Sequence, residues 1–97
     1  MEIESISHKA LKRFFLTGNS KGLVGDIERR LRAMLAFIAA TASLDELANP
    51  PNYGLHRLTG NRAGTWSMTV TRNWRLTFTV TQMGTVTDMN LEDYHGS

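Results

Sequence analysis

Asp93, Tyr94 and His95 are consecutive, which puts a carboxylate, a phenol and an imidazole within one tripeptide. Imidazole titrates near neutral pH and is the usual side chain for moving a proton. In an extended strand Asp93 and His95 point to one face and Tyr94 to the other, so all three meet a substrate only if the strand end curls. The competing account is a solvated polar segment. A second imidazole is His56, in Leu55-His56-Arg57-Leu58. Alternation puts it on the side of Leu58, which predicts a half-buried, structural histidine. Arg75 shares a strand face with Ser67, Thr69, Thr77 and Thr79, small hydroxyl residues that leave room for an anion beside a guanidinium. A solvated sheet surface is the competing account there.

Other motifs carry less. His8 stands at a helix start and reads as solvated. His8, His56 and His95 have no metal-ligand spacing, so no metal site is expected. Gly60-Asn61-Arg62-Ala63-Gly64 is a glycine-bounded turn without the Lys-Ser/Thr of a phosphate loop, and Arg62 is its one side chain suited to an anion. Trp66 and Trp74 fall on the apolar register and read as core, not as a base-stacking platform. No Ser–His–Asp spacing stands out.

The scaffold for these residues is readable in pattern. Glu2 to Ser7 alternates and predicts a short first strand. Ser7 can cap a helix over His8 to Leu16, which Gly18 ends. A longer helix is predicted from Gly25 to Thr41, with Ile27, Leu31, Met34, Leu35 and Ile38 at helical spacing and Arg29, Arg30 and Arg32 mostly off that stripe. Ser43-Leu44-Asp45-Glu46 is a capping-box pattern for one more turn, and Asn49-Pro50-Pro51-Asn52 breaks the chain.

Trp66, Met68 and Val70, then Trp74, Leu76, Phe78 and Val80, alternate with polar residues and predict an antiparallel hairpin. A two-residue loop would pair Thr71 with Trp74, polar against apolar. A three-residue loop pairs Val70 with Trp74, Met68 with Leu76 and Trp66 with Phe78, and the face rule selects it. Asn73 would then take the left-handed position. Gly84 marks the next turn, and Thr85 to Tyr94 forms the last strand. The expected fold is α+β in a single domain over residues 1–97: an N-terminal strand, two helices, then an antiparallel meander, with the helices on the Trp66, Leu76 and Phe78 face.

Composition limits the function classes. The chain has 97 residues, 41% hydrophobic and 21% charged, the balance of an ordinary globular domain. Cysteine is absent, which excludes disulfides, thiol catalysis and cysteine-ligated metal centres, and fits a reducing cytoplasm. Met34 to Ala40 is the longest apolar run, far short of the ~20 residues of a membrane span, and Glu2 and Glu4 argue against a secretory signal. The net charge of +2 permits nucleic acid without demanding it. Eight of the eleven basic residues are Arg, the type suited to bidentate phosphate contacts.

Taken together, the segment Leu55 to Gly64, Trp66-Ser67-Met68, Asn73-Trp74-Arg75-Leu76-Thr77-Phe78 and the final Glu92-Asp93-Tyr94-His95 resemble the HigB-type killer toxins of the RelE/ParE superfamily. The resemblance spans nearly the whole chain. It implies a RelE-like fold and a type II toxin–antitoxin pair whose toxin is a ribosome-dependent endoribonuclease. Its partners would be a helix-turn-helix antitoxin, the 70S ribosome and mRNA in the decoding site, with no membrane and no DNA contact except through the antitoxin. The implied chemistry uses no cofactor and no metal: the RNA 2′-hydroxyl attacks the adjacent phosphate. The family's functional positions fall on His56, Arg75, Asp93, Tyr94 and His95. Either His95 or Asp93 would take the 2′-hydroxyl proton, His56 would act as a second acid/base or phosphate ligand, Arg75 would stabilise the phosphorane, and Tyr94 would position substrate. Thr69 and Thr77 would flank the phosphate. Related toxins often carry Lys where this chain has Thr59, a loss that Arg57 or Arg62 would offset. The competing functions are a ParE-like gyrase inhibitor, which needs no acid/base pair, and a binding-only relative.

Overall fold

The computed structural model describes residues 1–94. Three helices, α1 (Lys9–Thr17), α2 (Glu28–Ala40) and the single-turn α3 (Leu44–Leu47), precede a four-stranded antiparallel sheet of β1 (His56–Arg57), β2 (Trp66–Thr69), β3 (Trp74–Val80) and β4 (Val86–Asp93) in that spatial order. The expected first strand is present only as two isolated bridges. Ile3 and Ile6 pair in parallel with Val86 and Met89, which places residues 2–7 along the outer edge of β4.

The hairpin has the register that the face rule selects: Trp66 opposite Phe78, Met68 opposite Leu76 and Thr69 opposite Arg75. Asn73 does not take the left-handed position, since Tyr53 and Asp88 are the non-glycine residues with positive φ among those described. The turn closes without it. The Trp74 N–H donates to the Thr71 carbonyl, and both Val70 and Thr71 donate back to Trp74 O.

All five apolar positions predicted for the long helix are buried, and with Leu11, Phe14 and Leu47 they cover the Met68, Leu76 and Phe78 face. The helix starts at Glu28, later than expected, because Gly25 turns the chain at φ 58°. Trp66 and Trp74 are only half-buried at the margin of this core. At α1 the cap is His8, not Ser7: the His8 Nδ1 accepts the Leu11 N–H at 3.1 Å, so His8 is a capping residue and not a merely solvated one. Ser7 is instead drawn to the sheet, where its hydroxyl donates to Met89 O.

One irregularity in β4 decides what the other face carries. Thr77 pairs with Asn90 but Thr79 with Thr87, so β4 holds one extra residue there. Asp88 absorbs it at φ 53°, a left-handed conformation that Asp tolerates, and its N–H donates to the Ser5 hydroxyl. The bulge resets the two-residue period. Val86 points to the core before it, Met89 and Leu91 after it, and Asn90 and Glu92 therefore share the face of Thr77 and Arg75.

Candidate active site

Leu58, Thr59, Asn61 and Arg62 form one wall of a cleft of about 350 Å³ over the polar face of the sheet; Ser67, Arg75, Thr77, Glu92, Asp93 and Tyr94 form the rest. The face is less open than its composition implies. Ser67 and Thr77 are 3% and 4% exposed, because the chain from Leu58 through the 3-10 turn Gly60–Arg62 folds back over them.

Glu92 fastens that wall. Its Oε1 accepts from Arg62 NH1 at 2.8 Å, and its Oε2 accepts from Arg62 NH2 at 2.6 Å and from the Thr77 hydroxyl at 2.5 Å. Hydrogen bonds from Arg62 hold the Glu92 carboxyl below the usual carboxylate range, desolvation opposes them, and the Thr77 hydroxyl adds to the lowering. The same pairing pushes Arg62 up. Arg62 and Thr77, both expected as phosphate contacts, are thus at the cleft but already engaged. Glu92 was not among the expected site residues. The parity switch in the apolar positions of β4, Val86 and then Met89 and Leu91, is the sequence signal that turns it toward the cleft.

Arg75 lies on the cleft side as expected. Its NH1 donates to the carbonyls of Thr71 at 2.7 Å, Trp74 at 3.2 Å and Arg72 at 3.3 Å, and its guanidinium lies 3.9 Å over the Tyr94 ring. One nitrogen clamps the hairpin turn and the ring supports the plane. This arrangement fixes the orientation of the opposite Nε–NH2 edge. The strand end does curl. The Tyr94 N–H leaves the ladder to donate to Asn73 O at 2.7 Å, and Asp93 and Tyr94 both line the cleft although they alternate along β4. His95 lies outside the described residues.

His56 pairs with Ser67 across β1 and β2, which sets it on the cleft face, about 4.5–5.5 Å between Cβ atoms from a lining residue. It is exposed, not half-buried as expected. The alternation was right that it shares a side with Leu58, but that side is the cleft, which Leu58 lines. His56 Nδ1 lies 2.9 Å from Gly54 O. A carbonyl only accepts, so Nδ1 carries the proton and Nε2 of the neutral ring is left as an acceptor. The backbone there is held close to β2: a Cβ on Gly54, at φ 68°, would stand 3.1 Å from the Thr69 hydroxyl.

Two expected contacts are not brought together with the rest. Thr69 faces this backbone and does not line the cleft. Arg57 is on the opposite face, its guanidinium 5.9 Å from the centre of the Trp66 ring, so it cannot offset Thr59. Thr59 itself lines the cleft. Among the described residues no group of three or more His, Asp or Glu is placed to hold a metal ion, and no helix is long and apolar enough to cross a membrane.

A family described as the RelE-like toxin of type II toxin–antitoxin system HigB matches residues 4–95. The chain belongs to this family. The HigB-like assignment covers every element of the fold and the whole cleft, and the α+β architecture is that of a RelE-like toxin. A curated relative, Endoribonuclease HigB of Proteus vulgaris, is 40% identical over 93 residues, which is 96% of this chain and 99% of the relative. Membership of a type II toxin family implies an antitoxin as partner.

Proposed function

We propose that this chain is an endoribonuclease toxin that cuts mRNA on the translating ribosome in the cytoplasm and is silenced by a helix-turn-helix antitoxin. The observation that carries this reading is the cleft itself, in which a braced arginine, a carboxylate and a phenol converge beside a histidine-bearing strand. The named activity of the 40% identical relative supports it.

In the proposed reaction the 2′-oxygen bonds to the adjacent phosphorus, the P–O5′ bond breaks, and the products are a 2′,3′-cyclic phosphate and a 5′-hydroxyl. Asp93 or His95 accepts the 2′-hydroxyl proton. His56, with Nε2 as its free acceptor when neutral, serves as second acid/base or phosphate ligand. Negative charge builds on the non-bridging oxygens, and the Nε–NH2 edge of Arg75 meets it with two parallel donors. Tyr94 holds that edge in place. The nucleophile is part of the substrate, so no metal-activated water is required and the proposed reaction is metal-independent.

Primer extension on a reporter mRNA after induction without antitoxin tests the reading. The expected result is cuts within codons that appear only when the message is translated. Cleavage of a minimal RNA should persist in excess EDTA, and His95→Gln should slow it ~10²–10⁴-fold as loss of a positioned proton carrier. Intact message beside broken chromosomal DNA would replace this reading with the gyrase one.

A further inference from the structure

Glu92 puts a carboxylate inside a cleft that, on the reading above, has to receive a polyanion. Its two oxygens accept three hydrogen bonds, two from the Arg62 fork and one from the Thr77 hydroxyl. A forked guanidinium with a hydroxyl beside it is equally the donor set for two non-bridging oxygens of a phosphodiester. We propose that Arg62 and Thr77 form a second phosphate seat next to Arg75, and that Glu92 fills this seat until an RNA phosphate displaces it. The inference rests on the cleft being the RNA site.

Three observations favour exchange over a permanent strut. The side chains of Glu92 and Arg62 are 25% and 46% exposed, so water reaches both and the carboxylate can leave without stranding a buried charge. Thr77 is 4% exposed, yet its hydroxyl is aimed at the same carboxylate oxygen as Arg62 NH2, which completes an oxyanion seat that tying the turn to the sheet does not need. The pair also cancels Arg62. The charges lining the filled cleft are then Arg75 against Asp93, a poor attractor of RNA, and Arg62 becomes available only to an anion placed well enough to replace Glu92.

The test uses the full chain and a short single-stranded RNA blocked against cleavage by 2′-deoxyribose at the cut site, with Kd followed across a salt series. Glu92→Gln should bind roughly two- to fivefold tighter, the range of one exposed ion pair. The slope of log K against log salt should steepen by about 0.7, the value for one more phosphate contact on a single strand. Adding Arg62→Ala to Glu92→Gln should erase both changes. A folded Glu92→Gln protein that binds equally or more weakly, with an unchanged slope, overturns the seat. The wild type provides a readout that needs no variant: the 13C resonance of the Glu92 side-chain carboxylate should move when RNA saturates the protein, and a stationary resonance overturns the proposal. Arg75→Ala separates the two levels. If it weakens binding while Glu92→Gln has no effect, the seat alone fails; if neither variant matters, the RNA site fails and the seat with it.

Discussion

Phe78 and Thr77 are neighbours in β3 and both are almost wholly buried, at 0% and 4% exposed, for opposite reasons. Phe78 joins Met68, Leu76 and Met89 against the helices, where each large side chain taken from water contributes ~1.5–3 kcal/mol and the exact neighbour matters little. Thr77 is covered by polar groups that answer one another, hydroxyl to carboxylate to guanidinium, and among the described residues no buried side-chain nitrogen or oxygen lacks a partner. On the helix side, shape and volume suffice. On the cleft side, partners must match one by one. One sheet thus separates what keeps the chain folded from what gives it chemistry.

The sharpest way to break this comparison is a matched pair of deletions. Phe78→Ala should cost ~3–5 kcal/mol, enough to unfold much of a domain this small, and thermal melting would show it. Arg75→Ala should lower single-turnover cleavage ~10²–10³-fold while costing only about 1–2 kcal/mol, since NH1 gives up turn carbonyls that water can solvate. Arg75→Lys should fall between, as a point charge cannot both clamp the turn and present a fork. If Arg75→Ala unfolds, the two faces are not separable.

Asp88→Val tests the device that keeps the faces apart. A β-branched residue is strained at φ 53°, so the variant should lose about 1–2 kcal/mol, and cleavage should fall further than stability because the bulge aims Glu92. Asp88→Gly should retain both. The smallest expected effect is on acid stability. The Glu92 carboxyl sits below its ordinary value of 4.5 in the folded state. Its contribution is therefore present in full above that value and is lost as pH falls through the folded one. Urea titrations between about pH 5 and 3 should show the wild type losing up to ~1 kcal/mol more than Glu92→Gln.

The hairpin was legible because two strict two-residue repeats admit a single register that keeps apolar opposite apolar, and α2 because five apolar positions define one stripe. Arg57 was misplaced because β1 is two residues long, too short for alternation to fix a side. His8 was missed as a cap because imidazole seldom takes that role, and Asn73 because the clamped turn does not need a left-handed residue. The curled end that gathers Asp93 and Tyr94 was anticipated only as a condition, since it depends on a hydrogen bond to Asn73 from another part of the chain. Glu92 was readable in principle. It required taking the shift from Val86 to Met89 as a bulge before asking which side chains face Arg75.

The segment of residues 2–7 lies against β4, so Ser5 and Ser7 hydrogen-bond to partners more than eighty positions away. Such pairing closes late, because the loop entropy of the whole intervening chain is spent first. A ribosome that has made residues 1–80 has supplied every helix and the hairpin, but not the strand that carries Glu92, Asp93 and Tyr94. The unfinished product has a core-forming face and no cleft. In a cell that makes such a chain, harm is deferred to the final moments of synthesis, and an interrupted translation yields only an inert fragment.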